Sequence, residues 1–179
     1  MKNKKRTYTI VAILLAVVAL GIGYAAATTL LTVNGTATAV ASDGASLEFS
    51  NPQTSGGQST TAASVDSNDS SVGVCTVALK TAGESATCTF TIGRASTMDA
   101  AVNVVDMAAS VYSDSTMTTA WSASDEWFTI TPTLGATTLA NSATTTLTIT
   151  VTLKKANLTG SNVVRNFYAK VVGDVANAS

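Results

Sequence analysis

Seven residues near the end of the chain, Leu147-Thr148-Ile149-Thr150-Val151-Thr152-Leu153, alternate aliphatic and hydroxyl side chains without a break. In a β-strand successive side chains point to opposite faces, so this run places four aliphatics on one side and three threonines on the other. That is the pattern of a sheet buried on one face and wet on the other. A helix is a poor alternative, because β-branched residues lose side-chain freedom against each preceding turn. The same period predicts strands at 45–49, 74–79, 86–92, 102–107, 128–133 and 167–172, separated by clusters of Gly, Ser, Asn and Asp. No helical crossover pattern lies between them, which argues against a parallel α/β sheet, and the strands suggest an antiparallel β-sandwich. Two stretches break the rhythm and are expected to be surface excursions: residues 51–71, rich in Ser, Thr and Gly, and residues 108–126, read as a short helix or a long loop.

One further strand sits in an unusual place. Leu31, Val33, Ala37 and Ala39 fall on one side and Thr32, Asn34, Thr36 and Thr38 on the other, with Gly35 in the apolar row where a close backbone approach would need it. This strand follows almost directly on residues 10–27, which carry no charge, and those follow Lys2, Lys4, Lys5 and Arg6. A basic start, an apolar stretch and small residues at its end make a secretory signal, expected as a hydrophobic helix. Ala25 and Ala27 supply the small side chains that a signal peptidase requires, and a cut after Ala25 is also permitted. The rival reading is an uncleaved anchor, since eighteen apolar residues just span a bilayer. The expected organisation is therefore a signal peptide over 1–27, an N-terminal strand over 28–40 and one β-sandwich domain over 41–179.

Removal of the signal changes the charge balance. Six basic residues (Lys80, Arg94, Lys154, Lys155, Arg165, Lys170) then face all eleven acidic ones, a net charge of −5. No basic stripe exists to neutralise phosphates, so nucleic acid is not an expected partner, and the membrane enters only through the precursor's signal segment. The chain is 12% charged, lacks histidine and contains 31 threonines, the composition of an exported β-protein whose polar surface is built from hydroxyls.

The two cysteines lie in VCTVALKTAGESATCTFTI. With a hairpin turn centred on Thr81-Ala82, Val77 would face Ala86 and Cys75 would face Cys88, both sulfurs on the core side with Leu79, Phe90 and Ile92. In an exported chain such a pair most simply forms a disulfide; two buried free thiols are the alternative. Two cysteines without histidine do not supply four zinc ligands.

The stretch LKTAGESATCTFTIGRASTMDAAV resembles the segment that follows the signal in secreted fibre subunits of the TasA and camelysin type. There a leucine, a Gly-acid-Ser turn, an alternating strand and a small-acid-Ala phrase occur in order, here Leu79, Gly83-Glu84-Ser85, the strand at 86–92 and Met98-Asp99-Ala100. GIGYAAATTLLTVNGTATA is similar to that family's signal-to-strand junction, and TLANSATTTLTITVTL to its habit of a turn followed by a long alternating strand. Departures are Ala82 in place of the family's proline, Cys88 in place of an aromatic, and Arg94-Ala95-Ser96 in place of an Asn-rich turn. The resemblance implies a jelly-roll-like β-sandwich exported to the cell surface, where subunits polymerise into fibres or pili of a biofilm matrix. It also implies that the N-terminal strand of one subunit, with Leu31, Val33, Gly35, Ala37 and Ala39 facing inward, completes the sheet of the next. The expected partner is then the chain itself. The alternative use of the strand is as the first strand of its own domain, in a monomeric or membrane-tethered adhesin.

Camelysin-type relatives are described as metalloproteases, but a zinc protease needs two histidines and a glutamate, and this chain has no histidine. Ser/His/Asp and Cys/His catalysis fail for the same reason. Asp125-Glu126 beside Trp127 resembles a carbohydrate-enzyme acid pair only in composition, since adjacent strand residues point apart. Asp66-Ser67-Asn68-Asp69-Ser70 has the oxygen content of a calcium loop but lacks its glycine and final glutamate. Asn34, Asn68 and Asn157 each open an Asn-x-Ser/Thr triplet, a frequency expected where threonine is common. Trp121, Trp127, Phe128 and Tyr168 are read as core aromatics before an adhesive patch. No enzyme, cofactor or metal site is expected.

Overall fold

A computed structural model describes residues 31–41, 46–96, 102–155 and 163–177. The signal segment with Ala25 and Ala27, residues 28–30, the Met98-Asp99-Ala100 phrase and the Asn157 triplet lie outside the described residues. The described chain forms nine strands: β1 (Leu31–Ala41), β2 (Leu47–Gly56), β3 (Ala62–Val65), β4 (Val72–Leu79), β5 (Ser85–Arg94), β6 (Val102–Tyr112), β7 (Phe128–Leu134), β8 (Thr145–Leu153) and β9 (Val164–Asn177).

The alternation seen in the sequence is realised residue by residue. In β8, Leu147, Ile149, Val151 and Leu153 are buried while the threonines between them are exposed or half-buried, and β5 repeats this with Ala86, Cys88, Phe90 and Ile92 inward. The strands build two sheets, one in the order β3-β4-β1-β9-β6 and one in the order β2-β5-β8-β7. Their inner faces enclose one core that includes Phe49, Phe90, Phe128, Phe167, Leu47, Leu79, Leu147 and Ile149. Phe49 and Phe90 meet as a tilted ring pair with centroids 5.3 Å apart, within the range that favours such arrangements. The described chain is thus an all-β two-sheet structure, a β-sandwich in architecture.

Several expectations need correction. Strands β4 and β5 do not form a hairpin: β4 pairs with β1 and β3, whereas β5 pairs with β2 and β8 in the opposite sheet. Residues 80–84 therefore carry the chain from one sheet to the other, and Val77 does not face Ala86 across a ladder. Residues 51–71 are not a single excursion, because β2 runs on to Gly56 past a bulge between Ser50 and Gln53, and β3 follows. Residues 108–126 contain no helix among the described residues: β6 continues to Tyr112 past a second bulge between Val105 and Ala108, and a turn-rich loop follows. Asn51 and Asp106, at the two bulges, hold φ of 46° and 51°, a left-handed conformation that Asn and Asp tolerate better than most residues. The sheets are antiparallel at every described pairing except one: β1 runs parallel to β9.

Candidate assembly site

That parallel pairing defines the site. Strand β1 is interior to its sheet, hydrogen-bonded on one side to β4, where Leu31 opposes Leu79 and Thr38 opposes Val72. On the other side it meets β9, where Thr32 opposes Val164 and Ala41 opposes Gly173. Further backbone bonds extend the fit: the Thr32 amide donates to the Val163 carbonyl at 3.2 Å and the Ala39 amide to the Ser71 carbonyl at 3.0 Å. No described pairing links β4 to β9 directly. Strand β1 alone satisfies the facing edges of both, and buried backbone groups left unpaired there would each cost free energy comparable to a lost hydrogen bond.

The inward row explains why short side chains are required. Val33, Gly35, Ala37 and Ala39 are buried. Ala37 lies between Gly73 of β4 and Ala169 of β9, a row of three small residues. A side chain at Gly73 would meet the Phe90 ring of the opposite sheet at 2.8 Å, so the aromatic core presses close on this small row. Gly35 lies between Cys75 and Phe167 in register, and a Cβ placed on it would fall 1.9 Å from the Phe167 ring. Phe167 thus lies over a glycine of its parallel neighbour, and this ring fixes the register of β1 against β9. The structure places four of the five inward residues named from sequence on the core face, and of Leu31 it fixes the backbone pairing with Leu79. On the outward side the Thr76 hydroxyl donates to the Asn34 amide oxygen at 3.3 Å.

The disulfide joins this site to the other sheet. Cys75 and Cys88 are bonded, with Cα atoms 6.0 Å apart and a sequence separation of 13. Because β4 and β5 belong to different sheets, the bond crosses the core and ties the wall of the β1 slot to the second sheet. The turn between these strands is held by Glu84: its carboxylate accepts from the Lys80 amide at 2.6 Å, the Thr81 amide at 2.9 Å and the Gln58 side-chain amide at 2.6 Å. Burial opposes the Glu84 charge, but these hydrogen bonds and the neighbouring Lys80 outweigh it and hold the carboxyl below its ordinary range.

The remaining sequence candidates are engaged locally. The Asp66 and Asp69 carboxylates accept hydrogen bonds from Asn68 and Ser71 within their own turn. Asp125 caps the entry to β7 by accepting from the Trp127 and Phe128 amides at 2.9 and 2.7 Å, while Glu126 pairs with Lys155. Lys155 also lies over the Trp127 ring, 4.3 Å from its centroid. Phe128 is fully buried, and Trp121 and Trp127 pack half-buried against the core. Among the described residues no group of three or more Cys, Asp or Glu side chains is placed to hold a metal ion. Sequence reasoning missed Phe167 as the partner of Gly35. No protein-family model matches the chain, and no curated protein matches it.

Proposed function

We propose that the chain is an exported structural subunit that polymerises head-to-tail, the β1 of one copy filling the β4–β9 slot of the next. The observation that carries this reading is that the first described strand is an interior strand, bounded on both sides by strands that pair with nothing else across the gap. Whatever fills the slot must bring main-chain hydrogen bonds, one side chain small enough for Phe167 and an apolar residue at the Val33 position. A second copy offers all three in the same register. A contact of this head-to-tail kind does not close on itself and so propagates. The likeness to TasA and camelysin-type subunits belongs to the same proposal, as do a jelly-roll connectivity, the signal helix at 1–27, processing near Ala25 and Ala27, and a place in the extracellular matrix.

The geometry adds a constraint. From Ala41 to Leu47 the chain spans six residue steps, roughly 20 Å when extended. A subunit whose β1 lies in its neighbour must therefore keep the start of its own β2 within that reach, which requires closely abutting subunits. A second reading, a monomer whose β1 stays at home, is favoured by the unbroken register of β1 in its own sheet. Negative-stain electron microscopy of the chain beginning at Thr28, beside one beginning at Ala41, separates the two. Filaments from the first and none from the second are expected; well-folded monomers without filaments from the chain beginning at Thr28 would overturn the proposal, whatever the chain beginning at Ala41 does.

A further inference from the structure

The outward face of the second sheet is a two-dimensional array. Across β5, β8 and β7, Thr87, Thr150 and Thr131 form one row and Thr89, Thr148 and Thr133 the next. Ser85, Thr152 and Thr129 flank them on one side, and Thr91 with Thr146 on the other. On β2 the rows extend to Ser55, Gln53 and Ser50, and the first charge appears only at Glu48, opposite Gly93. Every one of these threonines is exposed or half-buried. The other sheet also carries outward threonines, at Thr32, Thr36 and Thr38 of β1, but there they form a single column beside Tyr168, Lys170, Val172 and Asp174 of β9, whereas β5, β8 and β7 align three threonine columns.

We propose that this face binds ice. Neighbouring strands lie about 4.8 Å apart and alternate residues about 6.8 Å apart, repeats close to the oxygen spacings on the prism faces of hexagonal ice. Threonine is stiff about its first side-chain torsion, so methyls and hydroxyls are held in a fixed lattice before contact. Hydrogen bonds between Ser85 and Thr152 at 2.7 Å and between Thr89 and Thr148 at 3.3 Å hold it further. The uncharged array matches a neutral surface and keeps each hydroxyl bonded to ordered water. Other partners fit less well. The three threonine columns cover about 400 Å² by strand spacing, half of the roughly 800 Å² per partner of a stable protein interface, and a dry contact would leave their hydroxyls unpaired. A crystalline polysaccharide would be gripped by stacked aromatic rings, and this face has none. Sheet twist of about 20–25° per strand confines the match to the central rows, so the activity expected is inhibition of ice recrystallisation. The inference does not depend on strand exchange.

The test uses the intact secreted chain, fluorescently labelled, in an ice-partition assay and a recrystallisation assay. Enrichment in ice is expected, with about a tenfold loss of activity in Thr148→Lys at the array centre. Thr131→Lys, on an exposed position of the edge strand β7, should show the same loss with an unchanged melting curve. Ser64→Lys, on the other sheet, should behave as the parent. Exclusion of the parent chain from ice, full activity of both array variants, or retention on crystalline cellulose without ice activity would each overturn the proposal.

Discussion

Replacing Gly35 with alanine adds one methyl at the point where β1 meets Phe167. The new carbon would fall 1.9 Å from Cζ, 2.2 Å from Cε1 and 2.4 Å from Cε2 of that ring, far inside van der Waals contact. Phe167 is fully buried, so its ring has no solvent to move into and the core must shift instead. Overpacking of this kind costs about 1–3 kcal/mol, offset by roughly 0.4–1 kcal/mol because alanine restricts the unfolded chain. A net loss of about 1–2 kcal/mol follows, or a fall of roughly 2–8 °C in melting temperature for a domain of this size. Guanidinium titration with a double-mutant cycle measures it. Phe167→Ala alone is expected to cost about 3–5 kcal/mol, and Gly35→Ala added to it should cost at least 0.5 kcal/mol less than in the parent. Equal cost of Gly35→Ala in both backgrounds, or no cost in the parent, would refute the ring-over-glycine account of the register.

Three other predictions follow from particular contacts. Reducing the Cys75–Cys88 bond, which joins residues 13 positions apart, should remove about 3 kcal/mol of stability; calorimetry with and without reductant checks this, and a change below 1 kcal/mol would contradict it. Glu84→Ala leaves the Lys80 and Thr81 amides without their acceptor and should destabilise by about 1–2 kcal/mol, read as a shift in the guanidinium midpoint. In the 113–119 loop, hydrogen bonds from the Thr116 hydroxyl and the Thr119 amide hold the Asp114 carboxyl well below the ordinary aspartate range. Its folded-state value, like that of Glu84, is depressed. The stability each contributes is therefore complete above the ordinary carboxyl range and is lost as pH falls through the lowered folded values. An NMR titration should show the Thr119 amide following an Asp114 midpoint below that of a free aspartate, and an ordinary midpoint would refute the assignment.

How much of this was legible in the sequence depends on whether the period of two survives. Strands β5 and β8 keep it throughout, and the predicted spans 86–92 and 147–153 lie inside them, short by no more than two residues at either end. In β6 the bulge at Asp106 shifts the phase, so that Val104 and Met107 both face inward three positions apart, and the alternation resumes at Ala109 and Val111. A period-two reading stops at the bulge and takes the rest for loop or helix. Strand β2 is hidden in the same way by its bulge and by polar residues beyond it. The hairpin error has a different origin. Inward-facing cysteines on consecutive strands look alike whether the strands are neighbours in one sheet or face each other across the core, and alternation does not distinguish the two. Gly35 was legible as a place of close backbone approach, but what approaches it is the Phe167 ring, which local alternation does not reveal because the parallel pairing of β1 with β9 joins residues far apart in sequence.

The central claim concerns which molecule fills the slot, and one measurement addresses it directly. Asn34 and Thr76 oppose each other across β1 and β4 on the outward face, with side chains already 3.3 Å apart. Both native cysteines are bonded within the core, and the described residues contain no free cysteine. The chain carrying Asn34→Cys and Thr76→Cys, assembled, oxidised and run on a non-reducing denaturing gel, reports whether the two strands come from one copy or two. Strand exchange predicts a ladder of covalent oligomers that collapses to monomer on reduction. A single band of internally bridged monomer from the assembled material would contradict it.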